Sequence, residues 1–166
     1  LHFIEMCPRK EWFCMQLDVK TLSEYRFARA KEDMEAAVSN HQSGFYKVAI
    51  NRSYYAIFHA IRAVNIPGGF DASKHSSVIA HFNQVYVHGG KFDRGTYKLI
   101  DSAYRIREKC DYSDFFIASK EDSENQICNA KEFLNRVENF LPAEGKMKCY
   151  RDRETVCFSR RRFLFC

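Results

Sequence analysis

Apolar positions recur at steps of three and four in five stretches of this chain, and each stretch predicts a helix. Thr21-Leu22-Ser23-Glu24 has capping-box spacing, in which Thr accepts the N3 amide and Glu reaches back, so the first helix is expected to begin there. Phe27, Ala30, Met34, Ala37 and Val38 give it one apolar stripe to near His41, and Gly44 ends it. The second helix, about Phe45 to Asn65, carries Ile50, Tyr54, Ile57, Ile61 and Val64 on one face. Ala49, Ala56, Ala60 and Ala63 form a second, small-residue face, so this helix is expected to be central and to receive a close neighbour. Pro67-Gly68-Gly69 stops it.

Ser73 is placed to cap a third helix with His75, Val78, Ile79, Phe82, Val85 and Tyr86 on one side, broken by Gly89-Gly90. A fourth runs from about Asp93 to Cys110, with Leu99, Ala103, Ile106 and Cys110 in register. The fifth, about Lys120 to Leu141, aligns Ile127, Ala130, Leu134, Val137 and Leu141, and Pro142 marks its expected end. No strand alternation competes. The expected fold is all-α, an antiparallel four- to five-helix bundle.

Composition narrows this picture. A chain of 166 residues with 46% hydrophobic side chains suits one domain with a closed core, and 7 Gly with 3 Pro are too few for a turn-dense β fold. The bundle is assigned to residues 20–141, residues 1–19 to an N-terminal extension given no functional weight, and residues 142–166 to a basic C-terminal tail. Most of the formal charge of +5 lies in that tail, including Arg160, Arg161 and Arg162, while the bundle is nearly neutral. A broad nucleic-acid groove is therefore not written into composition. The tail reads as a solvated extension, with contact to RNA or anionic lipid as the alternative. No apolar run is long enough to span a bilayer and no signal peptide is evident, so a cytoplasmic location and no membrane partner are expected. The 7 Cys, odd in number and without a C-x-x-C pair, are read as reduced thiols.

Several residues carry candidate chemistry. Asn51-Arg52-Ser53-Tyr54-Tyr55-Ala56-Ile57-Phe58-His59-Ala60 resembles the R-x-Y-Y-A-x-F-x-A signature of small stand-alone prokaryotic HEPN proteins. Three further matches follow in order: Ser73-Lys74-His75-Ser76, Arg107 to Tyr112 in the manner of R-x-x-x-D-Y, and Ala130-Lys131-Glu132-Phe133-Leu134. The resemblance covers about Leu22 to Leu141. It implies a helical bundle, a homodimer, and a toxin–antitoxin-type system shared with a small nucleotidyltransferase. It also implies RNA or nucleotide as ligand. Many members are metal-independent ribonucleases using R-x4-6-H on a late helix, where Arg stabilises phosphate charge and His moves protons.

This chain departs from that pattern. Asp111 and Tyr112 follow Arg107 where the histidine is expected, and no histidine occurs after His88. Arg107, Asp111 and Tyr112 stand as the candidate catalytic set, with the alternative that Arg107 and Asp111 simply pair four residues apart. Arg52 and His59 also satisfy R-x6-H and project from one side of the second helix, roughly 10 Å apart along its axis. With Tyr55 and Arg62 they form a polar stripe that reads as a phosphate-binding or catalytic surface, or as structural, with Arg52 paired to Asp111 or Asp114 and His59 hydrogen-bonded within the bundle. Lys74 and His75 could bind an anion at the start of the third helix, or merely flank its cap. His81 and His88 have no further ligand at metal spacing, so no metal is assigned, and no cofactor. Binding of RNA or nucleotide phosphate is the leading reading. Metal-independent RNA cleavage and a purely structural module are the alternatives.

Overall fold

A computed structural model describes the backbone of residues 9–112 and 116–159 and the side chains of residues 18–112 and 116–141. Expectations that rest on Asp114 or on Arg160, Arg161 and Arg162 lie outside the described residues. Five α-helices follow in order: α1 (Arg9–Gln42), α2 (Tyr46–Asn65), α3 (His75–Phe82), α4 (Arg94–Tyr112) and α5 (Lys120–Ser159). A 3₁₀ turn, Ile66–Gly68, closes α2, and a π turn, Asn83–Val87, continues α3. No strand is present among the described residues.

Cross-helix bonds fix the directions. Ser23 Oγ donates to the Ala63 carbonyl at 2.7 Å while Arg52 reaches Asp33, so α1 and α2 are antiparallel. Lys31 meets Glu138 and His41 meets Ser123, so α1 and α5 are antiparallel too. Asn51 donates to Asp111, and Arg136 bonds Thr96 and Asp93, which sets α4 against α2 and α5. The bundle expected from periodicity is the bundle observed.

Its core gathers Phe27, Ala30, Met34 and Ala37 of α1 with Ile57, Ile61 and Val64 of α2. Val78 and Phe82 of α3, Ile100 and Ala103 of α4, and Ile127, Phe133, Leu134 and Val137 of α5 complete it. The α2 alanines 49, 56, 60 and 63 are all fully buried, as a helix with two packed faces requires. Gly44 makes the α1–α2 turn at a φ of +82°, a left-handed conformation that side chains rarely adopt.

Local signals were less faithful. α1 does not start at a Thr21 cap, because helical backbone runs through that position from Arg9. Ser73 does not cap α3; Lys74 occupies the cap position without any side-chain bond. Pro142 does not end α5, which continues to Ser159 and forgoes the main-chain bond a proline cannot donate. Val85 is exposed, not buried, because the wider π turn shifts the register and turns Val87 inward instead. Conversely, a cap that periodicity did not announce starts α5: Ser119 Oγ accepts the Asp122 amide, and Asp122 accepts from the Ser119 amide.

Candidate nucleic-acid interface on helices two and four

The helical register of α2 puts two adjacent stripes on the side facing α1, α3 and α4. Arg52, Tyr55, His59 and Arg62 form one, and Asn51, Tyr54 and Phe58 the other. The Arg52 guanidinium lies 5.0 Å from the Tyr55 ring centroid. Tyr55 meets Tyr54 edge-on at 5.7 Å, and the Arg107 guanidinium lies 5.6 Å from the Tyr54 centroid. Two cations from separate helices thus flank one tyrosine pair, each in cation–π range.

Each arginine also holds a carboxylate. Arg52 Nη1 is 3.1 Å from Asp33 Oδ1, with Asp33 side chain 8% and Arg52 41% exposed. Its partner is therefore a residue of α1, and the pairing with Asp111 expected from sequence is corrected: Asp111 takes Asn51 and Arg107 instead. Fold geometry explains this, since antiparallel α1 brings Asp33 alongside while Asp111 sits nearer Asn51. Asp33 also faces His59 Nε2 at 3.7 Å. Burial pushes the His59 imidazole below its ordinary value, Asp33 pulls it up, and Arg26, Arg62 and Arg29 push it down again. Its Nδ1 is buried without a hydrogen-bond partner among the described residues. Neighbouring Arg62 forms a two-pronged pair with Asp71 at 2.8 and 2.6 Å.

Arg107 Nη2 lies 2.8 Å from Asp111 Oδ2, the local i,i+4 pair that spacing allowed. Burial opposes its charge, but Asp111 and the tyrosines Tyr55, Tyr54 and Tyr112 more than compensate, so it stays cationic. Its Nε is buried and unpartnered among the described residues. Tyr112 lies 77% exposed, its ring centroid 5.9 Å from the same guanidinium.

His75 joins this group, a contact that its place in the sequence did not reveal. Standing first in α3, it bonds Tyr54 Oη through Nδ1 at 3.0 Å and stacks on Phe58 at 4.0 Å. It thereby shares the Tyr54 ring with Arg107. Burial, then Arg107 and Arg62, push its imidazole below the ordinary value, so it is neutral near neutral pH. Burial drives the Tyr54 phenol well above its ordinary value against the pull of Arg107, so it keeps its proton. Lys74 beside it is exposed at the α3 start. Asp33 and Tyr54 are the participants that the sequence did not single out as partners. Only the spacing of polar positions on α1 and α2 hinted at them. Among the described residues no three His, Cys, Asp or Glu side chains cluster to hold a metal, and no helix is long and apolar enough to cross a membrane.

An antiparallel helical bundle with arginine-, tyrosine- and histidine-bearing helices in this order defines the class: a small all-helical domain of the HEPN type. The chain belongs to the HEPN domain family, whose sequence model matches residues 23–140. It is 27% identical over 134 residues to a protein of Methanocaldococcus jannaschii named "Putative toxin", covering 81% of this chain and 91% of that one. A second M. jannaschii protein of the same description is 30% identical over 112 residues, 68% of this chain and 83% of its own length. A UPF0332 protein of Thermotoga maritima is 30% identical over 118 residues, 71% and 89% respectively.

Proposed function

We propose that this chain is the HEPN half of a toxin–antitoxin-type pair and binds the phosphates of single-stranded RNA or of a nucleotide across the α2–α4 face. The observation that carries the reading is that Arg52 of α2 lies against Tyr55 and Arg107 of α4 against the adjoining Tyr54, so two cations from separate helices meet one tyrosine pair. Arginine forks suit phosphate oxygens, and the half-buried Tyr55 ring can meet a base without regard to its identity, while Tyr54 is fully buried beneath it. Arg52, His59, Lys74 and His75 supply the binding surface, Arg107 and Asp111 its more buried end, and exposed Tyr112 the edge beside them. The names of the Methanocaldococcus relatives support the toxin–antitoxin context. A small nucleotidyltransferase is the partner the resemblance implies. Phe45 and Val48 at the start of α2 and Tyr112 at the end of α4 expose apolar surface at the same end of the bundle. That patch favours a homodimer bringing two Arg107 sites together.

Anisotropy of a labelled single-stranded RNA tests the binding claim. Arg52→Gln and Arg107→Gln are each expected to weaken binding about tenfold, consistent with losing one charge-assisted contact of roughly 1.4 kcal/mol. Full binding by both variants would remove the assignment.

A second reading, metal-independent RNA cleavage at this same face, is favoured by Arg107, whose buried Nε has no partner among the described residues. There the guanidinium would stabilise charge on the phosphoryl oxygens.

A further inference from the structure

The late helix that carries Arg107 offers no histidine, yet the fold brings one from α3 to the same tyrosine ring that Arg107 meets. His75, at the first position of α3, and Arg107, on α4, both lie against the Tyr54 ring, with centroid distances of 5.9 and 5.6 Å. The imidazole is fixed on two sides, by the Phe58 ring stacked at 4.0 Å and by Tyr54 Oη at 3.0 Å from Nδ1. Nε2 makes no hydrogen bond among the described residues, and the ring is only half-buried. A histidine held by one nitrogen and open at the other, against a tyrosine ring that an arginine also meets, has the arrangement a proton acceptor needs.

We propose that His75 is the catalytic base of an RNA-cleaving site shared between α3 and α4, with Tyr54 its positioning residue. The proposal rests on the cleavage reading above. In the tautomer that donates Nδ1–H to Tyr54 Oη, Nε2 carries an open lone pair. The ribose 2′-hydroxyl proton passes to Nε2 as the O2′–P bond forms. The P–O5′ bond then breaks with its electron pair on O5′, which takes a proton from solvent water. The resulting hydroxide recovers the proton from the imidazolium, and the ring returns to neutral. The products are a 2′,3′-cyclic phosphate and a 5′-hydroxyl, with no net water consumed. Arg107 offsets charge on the phosphoryl oxygens, and Tyr54 Oη accepts from the imidazolium as it forms. The groups facing His75 are Tyr54, Tyr55, Phe58 and Arg62 of α2 and Arg107 of α4. Its depressed proton affinity keeps the ring in the acceptor form near neutral pH.

The experiment incubates purified full chain with a defined single-stranded RNA in chelator and follows the rate, the product ends and RNA binding. Wild type is expected to yield cyclic-phosphate ends. His75→Gln should lower the rate at saturating RNA by about 10²–10⁴-fold, far more than the roughly tenfold loss of affinity expected from removing one contact of the binding surface. Because loss of the Phe58 stack could disturb folding, His75→Gly is measured with added imidazole, which should restore a large part of the rate. Tyr54→Phe is expected to leave KM unchanged, lower kcat, and move the acid limb of the pH profile to lower pH, since the imidazolium loses its acceptor. Cleavage at the wild-type rate by His75→Gln would overturn this assignment while leaving the ribonuclease reading intact. RNA binding without any cyclic-phosphate product would overturn both.

Discussion

Asp33 is the residue on which the arginine–histidine stripe of α2 depends. A carboxylate 8% exposed, holding Arg52 at 3.1 Å and facing His59 at 3.7 Å, would be left with one weak partner if Arg52 were removed. Arg52→Ala is therefore expected to destabilise the fold by about 1–3 kcal/mol, below the cost of breaking a fully buried pair because Arg52 itself is 41% exposed. Urea unfolding measures it, and an unchanged midpoint would show the pair to be idle. A pH dependence follows as well. His59, His75 and His81 all bind protons more weakly in the fold than at their ordinary value of 6.5, burial being the first cause in each. The unfolded chain then takes up more protons as pH falls through 6.5. The stability these three contribute is present above that value and is lost on acidification toward their folded-state values. Urea midpoints should thus drop between pH 7 and pH 5, and less steeply in His59→Gln. At this scale the local pair of Arg107 and Asp111 was legible from spacing four. Asp33 with Arg52 and His75 with Tyr54 were not, because each partner lies 19 or 21 residues away on another element.

Among the elements, α2 bears the clearest structural demand. Its alanines are wholly buried beside a face that carries Ile57, Ile61 and Val64 into the core, so extra volume on the alanine side has nowhere to go. Ala60→Leu is expected to cost about 1–3 kcal/mol through overpacking, read as a fall in thermal midpoint with helical circular dichroism retained. Residue periodicity of three and four made the five helices and most of their buried positions legible, since burial is what selects that pattern. The π turn was not legible, because inserting one wider turn preserves composition and only slides Val85 out and Val87 in. Gly89 follows that turn where a Cβ would meet the Val85 carbonyl, so the glycine serves close approach as much as helix ending. Thr21 and Ser73 misled for a shared reason: a capping side chain permits a helix start but does not impose one when helical backbone extends further or the chain enters from elsewhere.

For the molecule as a whole, a net charge of +5 and arginines already held by carboxylates accord with the proposed phosphate reader more than with a broadly basic binder. The apolar end formed by Phe45, Val48 and Tyr112 lies beside that face, so self-association and ligand binding should be linked. Sedimentation of wild type is expected to show a dimer that Val48→Asp converts to monomer, and a monomeric wild type would detach the patch from assembly. The family and its bundle were legible from four ordered motifs. The residues of the face were named from those motifs, but the contacts that join them, Arg52 to Asp33 and His75 to Tyr54, were not, since they need separate helices to meet. The most direct test of that face is the salt dependence of single-stranded RNA binding, measured for wild type, Arg52→Gln, Arg107→Gln and the double variant. Releasing counterions at two phosphates predicts a log–log slope that becomes shallower by about 0.7 for each arginine removed, with affinity falling alongside. A double variant that keeps the wild-type slope and affinity would contradict the account.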